Sequence, residues 1–187
     1  MADASGPDLY AAMLGPAWGD LPPVVRRLHQ VGRARGLLTI DRGRSAPARW
    51  LAGLLGFPRS GENVATLLVV EVRGAEQTWS RRFGGHELIS RQRRDGGGQM
   101  AERMGFFECR FRLSPTARGL DYEQVGASLA VGPLRLPLGR RLGPRVTAST
   151  WAEERGMGLD VSVFAPLFGR VLRYHGVVAP EGDEAAS

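Results

Sequence analysis

Lysine is entirely missing from this 187-residue chain, and all 25 basic residues are arginine. Asparagine occurs once, as Asn63, and cysteine once, as Cys109. Each absence removes a chemistry. Without an ε-amine there is no Schiff base, no phosphate-binding P-loop lysine and no Ser-Lys dyad. A single thiol allows neither an intrachain disulfide nor a multi-cysteine zinc site. The first ten residues, MADASGPDLY, are acidic and hold no apolar core, so no secretory signal is read there. The longest apolar-plus-glycine run, WLAGLLGF at 50–57, falls far short of the roughly 20 residues a membrane span needs. These absences predict a cytoplasmic globular domain with no transmembrane segment.

What is present is a basic body with acidic ends. The formal net charge is +6, and acids flank the chain at Asp3, Asp8 and Asp20 and again at Glu181, Asp183 and Glu184. A basic surface invites an anionic partner, either nucleic acid or a membrane. Complete replacement of lysine by arginine reads instead as the codon usage of a GC-rich genome. A nucleic-acid footprint requires clustering on one face or a binding motif. The densest cluster, Arg81, Arg82, Arg91, Arg93 and Arg94, falls around one predicted hairpin and has no interleaved aromatic ladder, so nucleic acid is not the expected partner.

Residues 1–7 and 181–187 read as loose tails around one domain over 8–180. Its first third is helical. Asp8 caps a short helix with Leu9, Tyr10, Met13 and Leu14, closed by Gly15-Pro16. Asp20 caps a second with Pro22 and Pro23 in its first turn and Val24, Val25, Leu28 and Val31 on one face. Ser45 caps a third, striped by Trp50, Leu51, Leu54 and Leu55 and stopped by Gly56-Phe57-Pro58, with a strand over 36–43 between the second and third. The stripe covers the sheet, or else dips into a membrane surface beside Arg44 and Arg49.

From residue 62 the period becomes two. VATLLVVEV at 64–72 reads as a strand buried on both faces or a central one, and short strands follow at regular spacing with glycine turns. Pro166 divides the closing run 159–178 into two strands, and LRLPLGRRLGPR at 134–145 holds too many Pro and Gly for a regular element. The expected fold class is α+β: two or three N-terminal helices packed on a large curved antiparallel β-sheet or partly closed barrel.

Six blocks together, LPPVVRRLH (21–29), RWLAGLLGFP (49–58), QTWSRRF (77–83), AERMGFFECRFRL (101–113), LPLGRRLGPRV (136–146) and GRVLRYHG (169–176), resemble an uncharacterised bacterial domain family. That family is found alone or C-terminal to saccharopine-dehydrogenase-like NAD(P)-binding domains. The resemblance therefore implies an oxidoreductase as partner or neighbour, but no catalytic residue. Where the family pattern carries an acid before the Thr-Trp pair, this chain has Gln77, which weakens any idea of a catalytic carboxylate there.

Strand alternation assigns faces. Gln77, Trp79, Arg81 and Phe83 share one face, and Met100, Glu102 and Met104 share another. An inward arginine and an inward carboxylate on neighbouring strands are the most informative pair, because such charges are rarely buried alone. They form either a structural ion pair or a polar anchor in an apolar cavity. The candidate ligand-binding set is Trp79, Arg81, Met100, Glu102, Phe107, Phe111, Tyr174 and His175. The expected ligand is an amphipathic, lipid-like small molecule with an anionic end. The alternatives are an enzyme using Glu102 as general base with Arg81 or His175 as partner, or an interaction domain for an oxidoreductase or membrane surface contacting through the arginine hairpin 81–94. His29, His86 and His175 have no metal-ligand spacing, and no G-x-S-x-G elbow is present, so neither a metal nor a cofactor is implied. Cys109, on the face of Phe107 and Phe111, reads as a small buried hydrophobe.

Overall fold

Asp8 opens the first helix as its position predicts. Its carboxylate accepts from the amides of Tyr10 and Ala11 at the start of α1 (Leu9–Leu14), and Gly15 closes the helix with φ 56°. The next step departs from expectation. Asp20 ends a one-turn helix, α2 (Ala17–Asp20), instead of capping α3 (Pro23–His29). Pro22 is held extended at ψ 139° by the proline that follows it, so α3 begins only at Pro23. Ser45 caps α4 (Ala46–Leu54) by accepting from the Ala48 amide at 3.2 Å. The computed structural model describes residues 8–30, 32–132, 134–139 and 141–181. The expected tails at 1–7 and 181–187, Glu181 excepted, and Val31 on the expected face of α3 lie outside these. Glu181 itself is held in place, its amide donating to the Arg33 carbonyl and its carboxylate pairing with Arg33 and Arg35.

Among the described residues, eleven strands follow the period-two pattern. They are β1 (Gly32–Arg42), β2 (Gly61–Arg73), β3 (Glu76–Phe83), β4 (His86–Asp95), β5 (Gln99–Met104), β6 (Phe107–Pro115), β7 (Gly119–Val131), β8 (Leu134–Leu138), β9 (Arg145–Glu153), β10 (Gly156–Ala165) and β11 (Gly169–Pro180). Each pairs antiparallel with its neighbour, β7 reaches past β8 to pair with β9, and β11 returns to β1. The ring β1–β7, β9, β10, β11 is therefore a closed ten-stranded barrel, with β8 a flap on the upper half of β7.

The α+β expectation holds only in outline, since the helices are short and the strands close into a ring. Closure satisfies both edges a partly open barrel would expose. Of the two readings of β2 the structure takes the second: it is central, paired with β1 and β3, and not buried on both faces. Its buried residues Thr66, Leu68 and Val70 alternate with more open ones, because the outer wall of a barrel has no second layer against it. Nor is 134–145 wholly irregular. β8 pairs with β7 from Val131↔Leu134 to Ala127↔Leu138, and an edge strand tolerates Pro137. Arg135 and Arg93 both grip Glu108, which is 4% exposed on the outer wall, and so tie this flap to β4 and β6.

Closure leans on glycines where strands approach closely, among them Gly36 and Gly176 between β1 and β11 and Gly119 between β7 and β9. At Gly119, opposite Trp151, a Cβ would overlap the Thr150 carbonyl and come within 2.6 Å of the Trp151 Cα. Neither obstacle can rotate away. Gly119→Ala should push β7 off β9 and cost about 2 kcal/mol, in the range of other overpacked sites. Denaturant unfolding checks this, and a midpoint equal to the parent's would show that the seam has slack.

The two ends of the barrel differ. At one, α1 and α3 pack down onto β4, β9 and β10 and seal it. At the other lie α4, the β5–β6 turn, the segment 141–144 and the β10–β11 turn, which ring an opening. Among the described residues no helix is long and apolar enough to cross a membrane.

Candidate functional site

Eight strands suffice to fill a barrel interior with side chains, and diameter grows with strand number, so ten leave space. The space is a cavity of about 360 Å³ inside the ring, within the range of small-molecule sites. Its upper wall is aliphatic and aromatic, with Leu51, Leu55 and Phe57 from the α4 region facing Met104, Phe107 and Phe168. Leu38, Leu68, Phe83, Val163 and Leu172 line the middle.

Of the residues expected at the site, Trp79, Arg81, Glu102, Phe107, Phe111 and Tyr174 all line this cavity. Two do not. Met100 is fully buried on the inner face but sits beside the β4–β5 turn at the sealed end, where it packs into the core. His175 follows Tyr174 on β11, and since neighbours on a strand point to opposite faces it lies on the outer wall opposite Asp160 and Thr39. The expected arginine cluster is likewise split. Arg81 points inward, Arg82 pairs with Glu87, and Arg93 serves Glu108 and Asp95.

The inward charges meet. Arg81 Nη2 stands 3.5 Å from Glu102 Oε1, and Ser90 closes the gap. Arg81 Nη1 donates to Ser90 Oγ at 2.9 Å, and the Ser90 hydroxyl donates to the same Glu102 oxygen at 2.6 Å. The guanidinium also lies 5.3 Å from the centre of the Trp79 ring, a cation–π arrangement. The pair is thus an ion pair and a cavity-lining polar group at once. Tyr174, 5% exposed and lining the cavity, has no hydrogen-bond partner for its hydroxyl among the described residues. Burial raises its pKa, so it presents a neutral O–H. Burial also pushes the Cys109 thiol up to about 12, with Glu102 and Glu108 adding to the effect; it packs as a small apolar group and is no nucleophile near neutral pH.

Beneath lies a floor the sequence did not signal. His29 Nδ1 faces the Val25 carbonyl at 2.7 Å, which requires a proton on that nitrogen, so Nε2 accepts from the Tyr122 hydroxyl at 2.8 Å. Tyr10 donates to Gln92 Oε1 at 2.8 Å and touches the Tyr122 oxygen at 3.2 Å. Gln77 donates to the His29 carbonyl at 3.2 Å, and the Trp79 indole donates to Gln77. These bonds join α1 and α3 to β3, β4 and β7. Alternation within 119–125 marks Tyr122 as inward, so that member was legible; the partnership with Tyr10 and His29 was not.

Residues 21–178 match the model of a family described as a domain of unknown function (DUF4166). The comparisons with curated proteins and with solved structures gave no match.

Proposed function

We propose, for a chain that belongs to the DUF4166 family of domains of unknown function, that it binds a largely apolar small molecule in its barrel, with the ligand's polar end on Arg81 and Tyr174. The cavity carries this reading, for it is roomy, apolar-walled and furnished at mid-depth with a hydroxyl lacking a partner. An unpaired polar group in such a place costs free energy until something bonds to it. The ion pair revises the character of that polar end. Glu102 already neutralises Arg81, so an incoming carboxylate would face Glu102 as a like charge. An uncharged hydroxyl or carbonyl can bond to Tyr174 and the guanidinium edge without that repulsion.

The enzyme reading has in its favour that Glu102 lines the cavity. Against it, Glu102 Oε1 already accepts from Arg81 and Ser90, and His175 stands outside the barrel. A partnership with an oxidoreductase rests on the resemblance alone.

Displacement of Nile red, an uncharged polarity-sensitive dye, tests the proposal. A long-chain fatty alcohol should compete at least tenfold better than the matching fatty acid. Ala148 lines the cavity from β9, and Ala148→Phe fills it with a ring. This variant should remain folded while losing at least tenfold in dye affinity. Full-strength binding to it would place the dye elsewhere and end the proposal.

A further inference from the structure

We propose that the open end of the barrel docks on an anionic lipid surface. Apolar exposure and charge are both unequally distributed between the two ends. At the mouth, Trp50 and Leu54 of α4, Phe106 of the β5–β6 turn, Leu142 and Leu167 are 66%, 68%, 67%, 75% and 102% exposed. The turns at the sealed end are built from Gly74-Ala75, Gly96-Gly97-Gly98, Thr116-Ala117-Arg118 and Glu154-Arg155, and expose no large apolar side chain. Leu167 holds a left-handed backbone, φ 68°, which glycine would adopt without strain. Here the strained position carries a leucine at the tip of the β10–β11 turn.

The charge in the connecting segments around these residues is of one sign. Segments 43–60, 84–86, 105–106, 132–145 and 166–170, which connect the strands at the mouth, contain no aspartate or glutamate. They do contain Arg44, Arg49, Arg59, Arg141 and Arg145, all exposed, and Arg170 beside them. Of the acids at the strand ends nearby, Glu87 is occupied by Arg82 and Ser80, and exposed Glu62 at the start of β2 stands against six arginines. Apolar tips with a tryptophan among them, set in a collar where arginines far outnumber acids, suit the headgroup and acyl boundary of an anionic bilayer. A nucleic-acid duplex would use the arginines and leave the apolar tips in water. A second copy would set one arginine collar against another.

The stripe Trp50, Leu51, Leu54, Leu55 therefore divides its work. Leu51 and Leu55 line the cavity while Trp50 and Leu54 face out. Seated this way, the mouth would open directly into the lipid, and an apolar ligand could pass between bilayer and barrel without crossing water. Docking itself does not depend on cavity binding, so the two can fail separately.

Flotation with phosphatidylcholine vesicles, plain or containing phosphatidylglycerol, tests the surface on the full chain. The anionic vesicles should carry the protein at low salt with at least tenfold higher affinity than plain ones, weaken in high salt, and shift Trp50 emission to the blue. Leu54→Ser with Leu167→Ser, and separately Arg44→Gln with Arg49→Gln, should each lower vesicle affinity at least tenfold. Arg118→Gln with Arg155→Gln, at the sealed end, should leave it unchanged, and so should the cavity-filled Ala148→Phe. Trp50→Phe should keep binding and remove the blue shift. Equal affinity for plain vesicles, equal loss from the sealed-end variant, a mouth-dependent dimer in sedimentation without vesicle binding, or binding to duplex DNA alone would each overturn the proposal.

Discussion

Replacing Arg81 by methionine is expected to cost about 3–5 kcal/mol of stability, because Glu102 then stays behind as an uncompensated charge within the barrel. The two side chains are only 14% and 20% exposed, so solvent screens the loss little. The double change Arg81→Met, Glu102→Met removes both charges and should recover most of it. About 1 kcal/mol is expected to remain missing, since Ser90 loses its acceptor and its donor together. Urea unfolding of the parent, the two single variants and the double variant gives the cycle. If the double variant is as unstable as Arg81→Met, Arg81 contributes packing and not pairing. The same double variant isolates the functional role. It should still take up Nile red, but a fatty alcohol should no longer compete better than its matching acid in a cavity stripped of its ion pair.

Acid should weaken the protein through His29. Burial lowers its pKa from 6.5 to about 4, against smaller opposing contributions from the Val25 carbonyl and Asp8. In the unfolded chain the ring takes up a proton below pH 6.5, while in the folded one it stays neutral until about pH 4. Between those values the unfolded state binds more protons, so stability rises with pH and is lost as pH falls. The full loss is about 3 kcal/mol. His29→Gln should be less stable at neutral pH yet show a flatter slope from pH 6.5 to 4 in denaturant titrations. A slope matching the parent's would assign the acid sensitivity to carboxylates instead. Protonating Nε2 would also break the floor, because the Tyr122 hydroxyl now donates to that nitrogen and would have to turn its proton toward Tyr10.

Much of the cavity wall was readable residue by residue. Trp79, Arg81 and Phe83 share a face because side chains alternate along β3, and the same rule places Glu102 with Met104 and Phe107 with Cys109 and Phe111. That rule, applied strictly, also separates Tyr174 from His175, so grouping those two was an error the sequence could have prevented. Met100 obeyed the face rule yet missed the cavity, since alternation gives a face and not a height along the barrel.

Composition and periodicity by themselves determined that this chain has no lysine chemistry and no intrachain disulfide, where most strands run, and which of their residues point inward. These are local properties, set by backbone geometry over a few residues. The tertiary structure decided that the inner face closes on itself, because pairing of β11 with β1, from opposite ends of the chain, and of β7 with β9, past β8, depends on strands meeting that are not neighbours in sequence. It decided too that Tyr10 reaches Gln92 and Tyr122, 82 and 112 residues away, to build a floor. And it gathered the scattered arginines and exposed apolar tips of the connecting segments at one end, since successive hairpins of an antiparallel barrel return every second turn to the same rim.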